Sequence, residues 1–199
     1  MHAARFDYYL RGGTPPDSAR TYPGCRDHTA PRETMPVFLP GRLYFALESP
    51  AWTGGLALYD PLDPGRMPAR AYLLTTAQFH DVAAQEMYRP PGVEPDADLT
   101  EALTAGRSTL GPGRYETLVK VGAAAGFPIL TFTAPWRSAD VAWNPPAAAY
   151  LRHLAAGLAE AHGWSPDRAA RYLARCPGAA GSWTRTAIAA LAATPRPQR

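Results

Sequence analysis

Hydrophobic positions form short, strand-like stretches in the first two thirds of the chain and recur at helical spacing in the last third. The stretches favour strands at 42–47, 55–59, 69–74, 115–121 and 127–132, the last two as a hairpin. Strands followed by a helical C-terminal third predict an α+β fold rather than alternating βαβ units.

Helices are predicted where apolar residues repeat every three or four positions. The expected segments are 1–13, 75–87, 99–106, 147–162, 165–175 and 184–193. Ser165 is an N-cap with Pro166 at the first helical position. The stretches 14–36 and 89–98 are rich in Pro, Gly and Asp and are predicted to be irregular loops.

Glu86 occupies an unusual position in the second of these helices. Phe79, Val82 and Ala83 form its apolar stripe, and Glu86 is the next position on that stripe. A carboxylate there points inward and lies in the last turn, where the helix dipole disfavours negative charge. Both effects would raise its pKa and suit it to accept a proton. The alternative is a frayed helix end that turns Glu86 back into water.

Composition and charge narrow the classes of protein. The chain has 199 residues, enough for one core, and a net charge of +3 with Lys120 as its single lysine. Its arginines occur without long runs, which argues against nucleic-acid binding. No apolar stretch approaches the ~20 residues that a membrane span needs, and the N-terminus has no signal-like region. We therefore expect a cytoplasmic protein that binds neither membrane nor nucleic acid, with Cys25 and Cys176 as unpaired thiols.

Sequence motifs for metal or cofactor chemistry are absent. The five histidines form no zinc-binding spacing. The segment Gly106–Gly113 has Pro112 where a phosphate loop needs lysine, and no Gly-x-Ser-x-Gly elbow occurs. We expect no metal and no cofactor, so catalysis would depend on a carboxylate.

Several elements, in order, resemble the gamma-glutamylcyclotransferase-like family. The resemblance runs from about Leu43 to Tyr150. Its motifs are Thr53-Gly54-Gly55 before a strand, Ala84-Gln85-Glu86 at a helix end, Tyr115 at the start of a strand and Asn144-Pro145-Pro146 before Tyr150. It implies a small mixed β-barrel or sheet with flanking helices, and a helical C-terminal extension that lies outside the resemblance.

The resemblance also implies a reaction. In that family the glutamate at the position of Glu86 is the general base. It takes a proton from the substrate's α-amino group, which attacks the γ-carbonyl and releases 5-oxoproline and an amine. The substrate would be a small γ-glutamyl compound, and the residues implied to bind it are Gly54, Gly55, Tyr115 and Tyr150.

One family element is not present in this sequence. The family's first strand ends in Tyr-Gly-Ser-Asn, whose backbone N–H groups hold the glutamyl group. Met1-His2-Ala3-Ala4-Arg5 resembles the segment directly after that loop in relatives. We therefore expect either a misassigned start codon or a true truncation, with unpaired strand edges and weakened activity in the truncated case.

Two alternatives to the cyclotransferase remain at the level of sequence. One is a non-catalytic ligand-binding or interaction protein on the same fold. The other is a deacetylase or amide hydrolase, whose zinc-dependent form would need His and Asp clusters. The expected organisation is a domain at 1–163, helices at 164–193 packed on it and a disordered tail at 194–199. The sequence does not indicate the leaving amine or the oligomeric state.

Overall fold

The computed structural model describes residues 2–15, 20–49, 52–93 and 97–193. Within these ranges the helices are α1 Ala3–Arg11, α2 Thr76–Glu86, α3 Thr100–Ala105, α4 Ala148–His162, α5 Pro166–Leu173 and α6 Arg185–Ala193. The strands are β1 Thr34–Pro40, β2 Arg42–Ala46, β3 Leu56–Asp60, β4 Arg66–Tyr72, β5 Arg107–Thr109, β6 Thr117–Ala124 and β7 Phe127–Thr133. The α+β class is confirmed.

The strands form three small antiparallel sheets. β1 pairs with β4, β2 pairs with β3, and β6 lies between β5 and β7. The predicted mixed barrel is not found as a closed barrel in the described part of the chain. The physical reason is that β4 and β7 each pair on one side there, and both line an apolar cleft of about 420 Å³.

Two of the strands, β1 and β5, were not predicted from the sequence. β1 overlaps the end of the expected loop 14–36 and continues to Pro40, so that part of the loop prediction was wrong. Pro36 and Pro40 lack the N–H donor of a ladder and so resemble loop residues, which is compatible with the edge position that β1 occupies. β5 has only three residues, too few for a periodic signal. Residues 16–19 and 94–96 of the two expected loops lie outside the described ranges.

The C-terminal helices share one hydrophobic cluster with β2. Phe45 of β2 packs with Leu151 and Leu158 of α4, Leu173 of α5 and Ile188 of α6. As predicted, the Ser165 side chain caps α5 by accepting from the Arg168 N–H, with Pro166 at the first helical position. The predicted tail 194–199 lies outside the described residues.

A second cluster joins α1 to α2. Leu10 of α1 and Val82 of α2 are buried together with Cys25, and Phe6 and Tyr9 are packed against them. Cys25 and Cys176 are both buried and form no disulfide, as expected. No helix in the described residues has the length and apolarity to span a bilayer.

Thr75 fixes the start of α2 through a reciprocal capping box. Its hydroxyl accepts from the Gln78 N–H at 3.2 Å, and the Gln78 side chain accepts from the Thr75 N–H at 3.1 Å. Thr75→Ala should therefore lower the free energy of unfolding by about 0.5–2 kcal/mol, measured by urea denaturation. Thr76→Ala, at the exposed first helical position, is the matched control. Equal losses in the two variants would contradict the capping role.

Candidate active site around Glu86

Glu86 meets the N-terminal helix at the end of α2. Glu86 lies one turn after Val82, and Tyr9 directly precedes Leu10, so the packing of α1 on α2 brings the two side chains together. The Tyr9 hydroxyl donates a hydrogen bond to Glu86 Oε1. The neighbouring Gln85 is buried and its Nε2 donates to the Tyr9 carbonyl oxygen at 3.0 Å. These two contacts hold the end of α2 against α1 and fix the position of the carboxylate.

Burial raises the pKa of the Glu86 carboxyl above its ordinary value. The Tyr9 hydrogen bond and the guanidinium groups of Arg20, Arg5 and Arg114 stabilise the ionised form and oppose this effect without cancelling it. The result is a carboxylate that retains a proton to higher pH than a solvated glutamate. The sequence-based expectation of an inward-facing carboxyl with a raised pKa agrees with this geometry, whereas the alternative of a fully solvated side chain does not, because Glu86 is partly buried.

Three guanidinium groups alternate with aromatic rings near Glu86. The first is that of Arg5, which lies 5.5 Å from the Trp52 ring and 5.9 Å from the Tyr22 ring. It also donates to the Tyr22 hydroxyl at 3.0 Å. Tyr22 in turn packs on Tyr9, with 4.5 Å between ring centroids.

The alternation of guanidinium groups and aromatic rings continues beyond Tyr22. Arg20 lies 4.5 Å from the Tyr22 ring and 4.4 Å from the Tyr88 ring. Arg114 lies 5.1 Å from Tyr88 and 5.9 Å from Tyr115, and it donates to the Tyr88 hydroxyl at 2.6 Å. We call this series the arginine–aromatic ladder: Trp52, Arg5, Tyr22, Arg20, Tyr88, Arg114 and Tyr115. Cation–π contacts of this kind hold guanidinium groups in defined planes.

Tyr88 comes directly after the C-cap of α2, and its ring is part of the arginine–aromatic ladder. Its φ of 60° lies in the left-handed region, which is uncommon for a residue with a side chain. This residue directly follows Met87, the C-cap of α2, so the left-handed conformation comes just after the helix has ended at Glu86. Such strain is frequently retained at functional sites. Here it places an exposed tyrosine ring between Arg20 and Arg114.

Tyr115 and Tyr150, both implied by the resemblance, lie near Glu86. Burial raises the pKa of each phenol, to about 12 for Tyr150, and the negative charge of Glu86 adds to the increase in both. Tyr150 stacks on Trp52 at 5.4 Å with nearly parallel rings. The Tyr115 hydroxyl lies 3.5 Å from the Ala57 carbonyl oxygen. Both phenols are therefore protonated at neutral pH and able to donate hydrogen bonds.

Gly54 and Gly55, also implied to bind substrate, pack against the segment before Tyr150. A Cβ atom on Gly55 would lie 2.0 Å from the Asn144 carbonyl oxygen, so only glycine allows this approach. Their N–H groups are bonded within the protein: that of Gly54 to the Glu48 carboxylate and that of Gly55 to the Pro145 carbonyl oxygen. These contacts give the two glycines a structural role in the close approach of their segment to residues 144–147, and their binding of substrate stays a prediction.

Several members of the site were missed by the sequence analysis. Tyr9 lies in the predicted helix 1–13, but its bond to Glu86 joins positions 77 residues apart. Arg5, Arg20 and Arg114 lie in three separate segments, with no spacing that relates them. The local signal that was available is the pairing Arg114-Tyr115, in which a cation directly precedes a residue already implicated.

The described residues contain no group of three or more His, Cys, Asp and Glu side chains that could hold a metal ion. The side chains of the site themselves offer three kinds of chemistry. A partly buried carboxylate can accept a proton, guanidinium groups can bind an anion, and phenols can donate hydrogen bonds to a developing oxyanion.

Comparison with known proteins identifies a distant relative. The chain is similar to a curated protein named histone deacetylase 5 from Arabidopsis thaliana, with 31% identity over 195 residues and 87% of this chain covered. The chain spans 29% of that relative's length. No family model matches the chain, and no solved structure matches it.

Proposed function

We propose that the protein is a gamma-glutamylcyclotransferase-like enzyme that converts a γ-glutamyl amine or peptide to 5-oxoproline, with Glu86 as the general base. The observation that carries the proposal is the Glu86 carboxyl itself, partly buried, held by the Tyr9 hydroxyl and raised in pKa. A general base is most effective when its pKa lies near the working pH. Burial moves Glu86 in that direction.

The reaction needs one base and no added reactant. Glu86 takes a proton from the substrate's α-amino nitrogen, which attacks the γ-carbonyl carbon and forms the five-membered ring. The bond from that carbon to the leaving nitrogen then breaks, and protonated Glu86 returns the proton to the leaving amine. Because the attack is intramolecular, holding the glutamyl chain in a folded conformation supplies much of the rate gain.

The arginine–aromatic ladder supports this substrate class. A γ-glutamyl compound carries a free α-carboxylate next to the reacting amine, and guanidinium groups bind carboxylates through paired N–H donors. Neither Arg5 nor Arg114 forms an ion pair with a carboxylate of the described residues. An α-carboxylate bound to the ladder would leave the adjacent amine near Glu86. The protonated phenols of Tyr115 and Tyr150 would supply donors to the γ-carbonyl oxygen.

We extend the proposal to the fold. On this proposal the elements from Leu43 to Tyr150 follow the order of the gamma-glutamylcyclotransferase-like family, and α5 and α6 are the C-terminal extension that packs on the domain at 1–163. On this proposal β4 and β7 are the strands that flank the position of the family's first strand, and the apolar cleft between them is that position.

The test is product formation by the purified protein. It is incubated with γ-glutamyl amino acids and γ-glutamyl alkylamines, and 5-oxoproline, glutamate and free amine are quantified. The proposal predicts 5-oxoproline and amine in equal amounts. Release of glutamate instead would indicate a hydrolase, and binding without any product would indicate the non-catalytic alternative. Either result would refute the cyclotransferase.

Tyr9→Phe should shift the pH dependence of this activity. Glu86 must be ionised to act as a base, so activity rises as pH increases through its pKa. The Tyr9 hydroxyl stabilises the ionised carboxylate, and its removal should raise the pKa of Glu86 further and move the midpoint of kcat/KM to higher pH. Tyr8→Phe, on the preceding residue, is the matched control. A shift to lower pH, or equal shifts in both variants, would contradict the assignment.

The name of the Arabidopsis relative suggests deacetylation as a competing activity. That name describes a protein of which this chain spans 29%. A zinc-dependent deacetylase would bind one zinc ion per chain and release acetate from acetyl-lysine peptides. Stoichiometric zinc in the purified protein, together with acetate release, would favour that activity over the cyclotransferase.

A further inference from the structure

A second, strongly basic pocket lies outside the Glu86 site. It has a volume of about 480 Å³ and is formed by the start of β2, the turn before β4 and the helix α5. Five of its eleven lining residues are arginines: Arg42, Arg66, Arg168, Arg171 and Arg175. We call it the arginine pocket.

The fold collects these arginines from two distant parts of the sequence. Arg168, Arg171 and Arg175 follow the spacing i, i+3 and i+7, which places them on one face of α5 and the turn that follows it. Arg42 and Arg66 begin β2 and β4, and the Gly41 N–H bonds to the Gly65 carbonyl oxygen at 3.1 Å, which holds these two strand starts together. The positively charged face of α5 therefore lies opposite the starts of two strands, each of which also carries a positive charge.

Carboxylates neutralise only part of this charge. Arg171 pairs with Asp167 at 3.1 Å, and Arg42 lies 3.8 Å from Asp63. Arg66, Arg168 and Arg175 form no ion pair with any carboxylate of the described residues. Like charges gathered in one concavity repel each other and create a positive potential that attracts anions.

Aromatic rings orient two of these unpaired guanidinium groups. Arg168 lies 4.5 Å from the buried Trp164 ring, and Arg66 lies 5.1 Å from the Phe38 ring. A guanidinium group stacked on a ring face keeps its N–H edges available for oxygen acceptors and loses little freedom on binding them. These two arginines are therefore preorganised for an anionic ligand.

We propose that the arginine pocket binds a small ligand that carries several phosphate groups. Three guanidinium groups with no carboxylate partner among the described residues exceed what one carboxylate would neutralise, and paired N–H donors match phosphate oxygens. The pocket volume is that of a small-molecule site. Its charge is confined to one concavity rather than spread along an extended groove, which favours a compact ligand over a nucleic acid.

Isothermal titration calorimetry of the whole protein with inorganic tripolyphosphate tests the proposal, with inositol hexakisphosphate as a second, ring-shaped probe. At least one probe should bind, and more tightly than inorganic phosphate. Arg66→Gln and Arg168→Gln should each weaken that binding about tenfold or more, since each removes a charged hydrogen-bond donor from the ligand. Arg32→Gln, which removes the same charge at an exposed position outside the pocket, should leave it within about twofold.

Failure of both probes to bind would overturn the proposal, as would an equal loss in Arg32→Gln. If Arg168→Gln fails to fold, as judged by circular dichroism, the exposed Arg175→Gln replaces it. Hydrogen exchange supplies a second readout, because a bound probe should slow exchange in 164–176. Pocket-dependent binding of duplex DNA or of anionic lipid vesicles that is tighter than either probe would assign the site to a macromolecule and refute the small ligand.

Discussion

Glu86→Gln should lower the turnover number for 5-oxoproline formation by about 10²–10⁴-fold, the usual contribution of a general base. Glutamine has nearly the same shape, and its side-chain oxygen can still accept the hydrogen bond from Tyr9. It cannot take a proton from the α-amino group. The loss should therefore appear in the turnover number, measured as 5-oxoproline released under saturating substrate.

Glu33→Gln is the matched control, because it removes an exposed carboxylate that has no place in the proposed machinery. Its turnover should equal that of the unmodified protein. If Glu86→Gln retained full turnover, Glu86 would not be the base. If it lost turnover together with its fold, circular dichroism would reveal this and Glu86→Asp, which keeps the carboxylate but shortens the side chain, would test the base instead.

Phe45→Ala should lower the free energy of unfolding by about 3–5 kcal/mol. The Phe45 side chain is 0% exposed and packs with residues of α4, α5 and α6. Its ring also meets Tyr150 edge-on, with 6.4 Å between centroids. Removing the ring would leave a cavity between the strand and the C-terminal helices. Since small domains are stable by about 5–15 kcal/mol, the midpoint of urea unfolding should fall markedly.

The comparison for that experiment is Phe38→Ala, the same substitution on a ring that is 43% exposed. It should cost less than about 1 kcal/mol, because surface substitutions rarely cost more. Because the C-terminal helices share a core with β2, unfolding should be a single transition. Two separate transitions, with only one affected by Phe45→Ala, would show that the helices form an independent unit.

Local signals were sufficient to predict most of the helices. The stripe of Phe79 and Val82 and the Ser165-Pro166 start act over a few residues, so sequence spacing alone reveals them. The same stripe predicted that Glu86 faces inward. The inward orientation of Glu86 and its raised pKa have one cause, which is burial at the end of an apolar face.

Sheet closure and the partners of Glu86 could not be predicted in this way. Pro36 and Pro40 resemble loop residues because they lack N–H donors, although an edge strand tolerates them. Whether β4 and β7 meet depends on contacts between segments more than 50 residues apart, which no local pattern encodes. Tyr9 reaches Glu86 only because two helices pack through Leu10 and Val82.

The arginines illustrate the same limit most directly. Along the sequence they are scattered, which argued against nucleic-acid binding and gave no sign of a basic pocket. In the fold, Arg42 and Arg66 lie opposite one face of α5 and form a pocket with Arg168. The spacing of Arg168, Arg171 and Arg175 was enough to predict that these three arginines share one face of a helix. The position of β2 and β4 against that helix could not be predicted from the sequence, because it depends on tertiary packing.

The proposed role of Glu86 is that of the base in an intramolecular cyclisation. Its most direct test is the pH dependence of kcat/KM for 5-oxoproline release, since this quantity reports the ionisation of essential groups in the free enzyme. We expect equal release of 5-oxoproline and amine, with activity rising through a midpoint above the ordinary pKa of a glutamate carboxyl. Release of glutamate, absence of product, or activity independent of pH across the acidic range would contradict it.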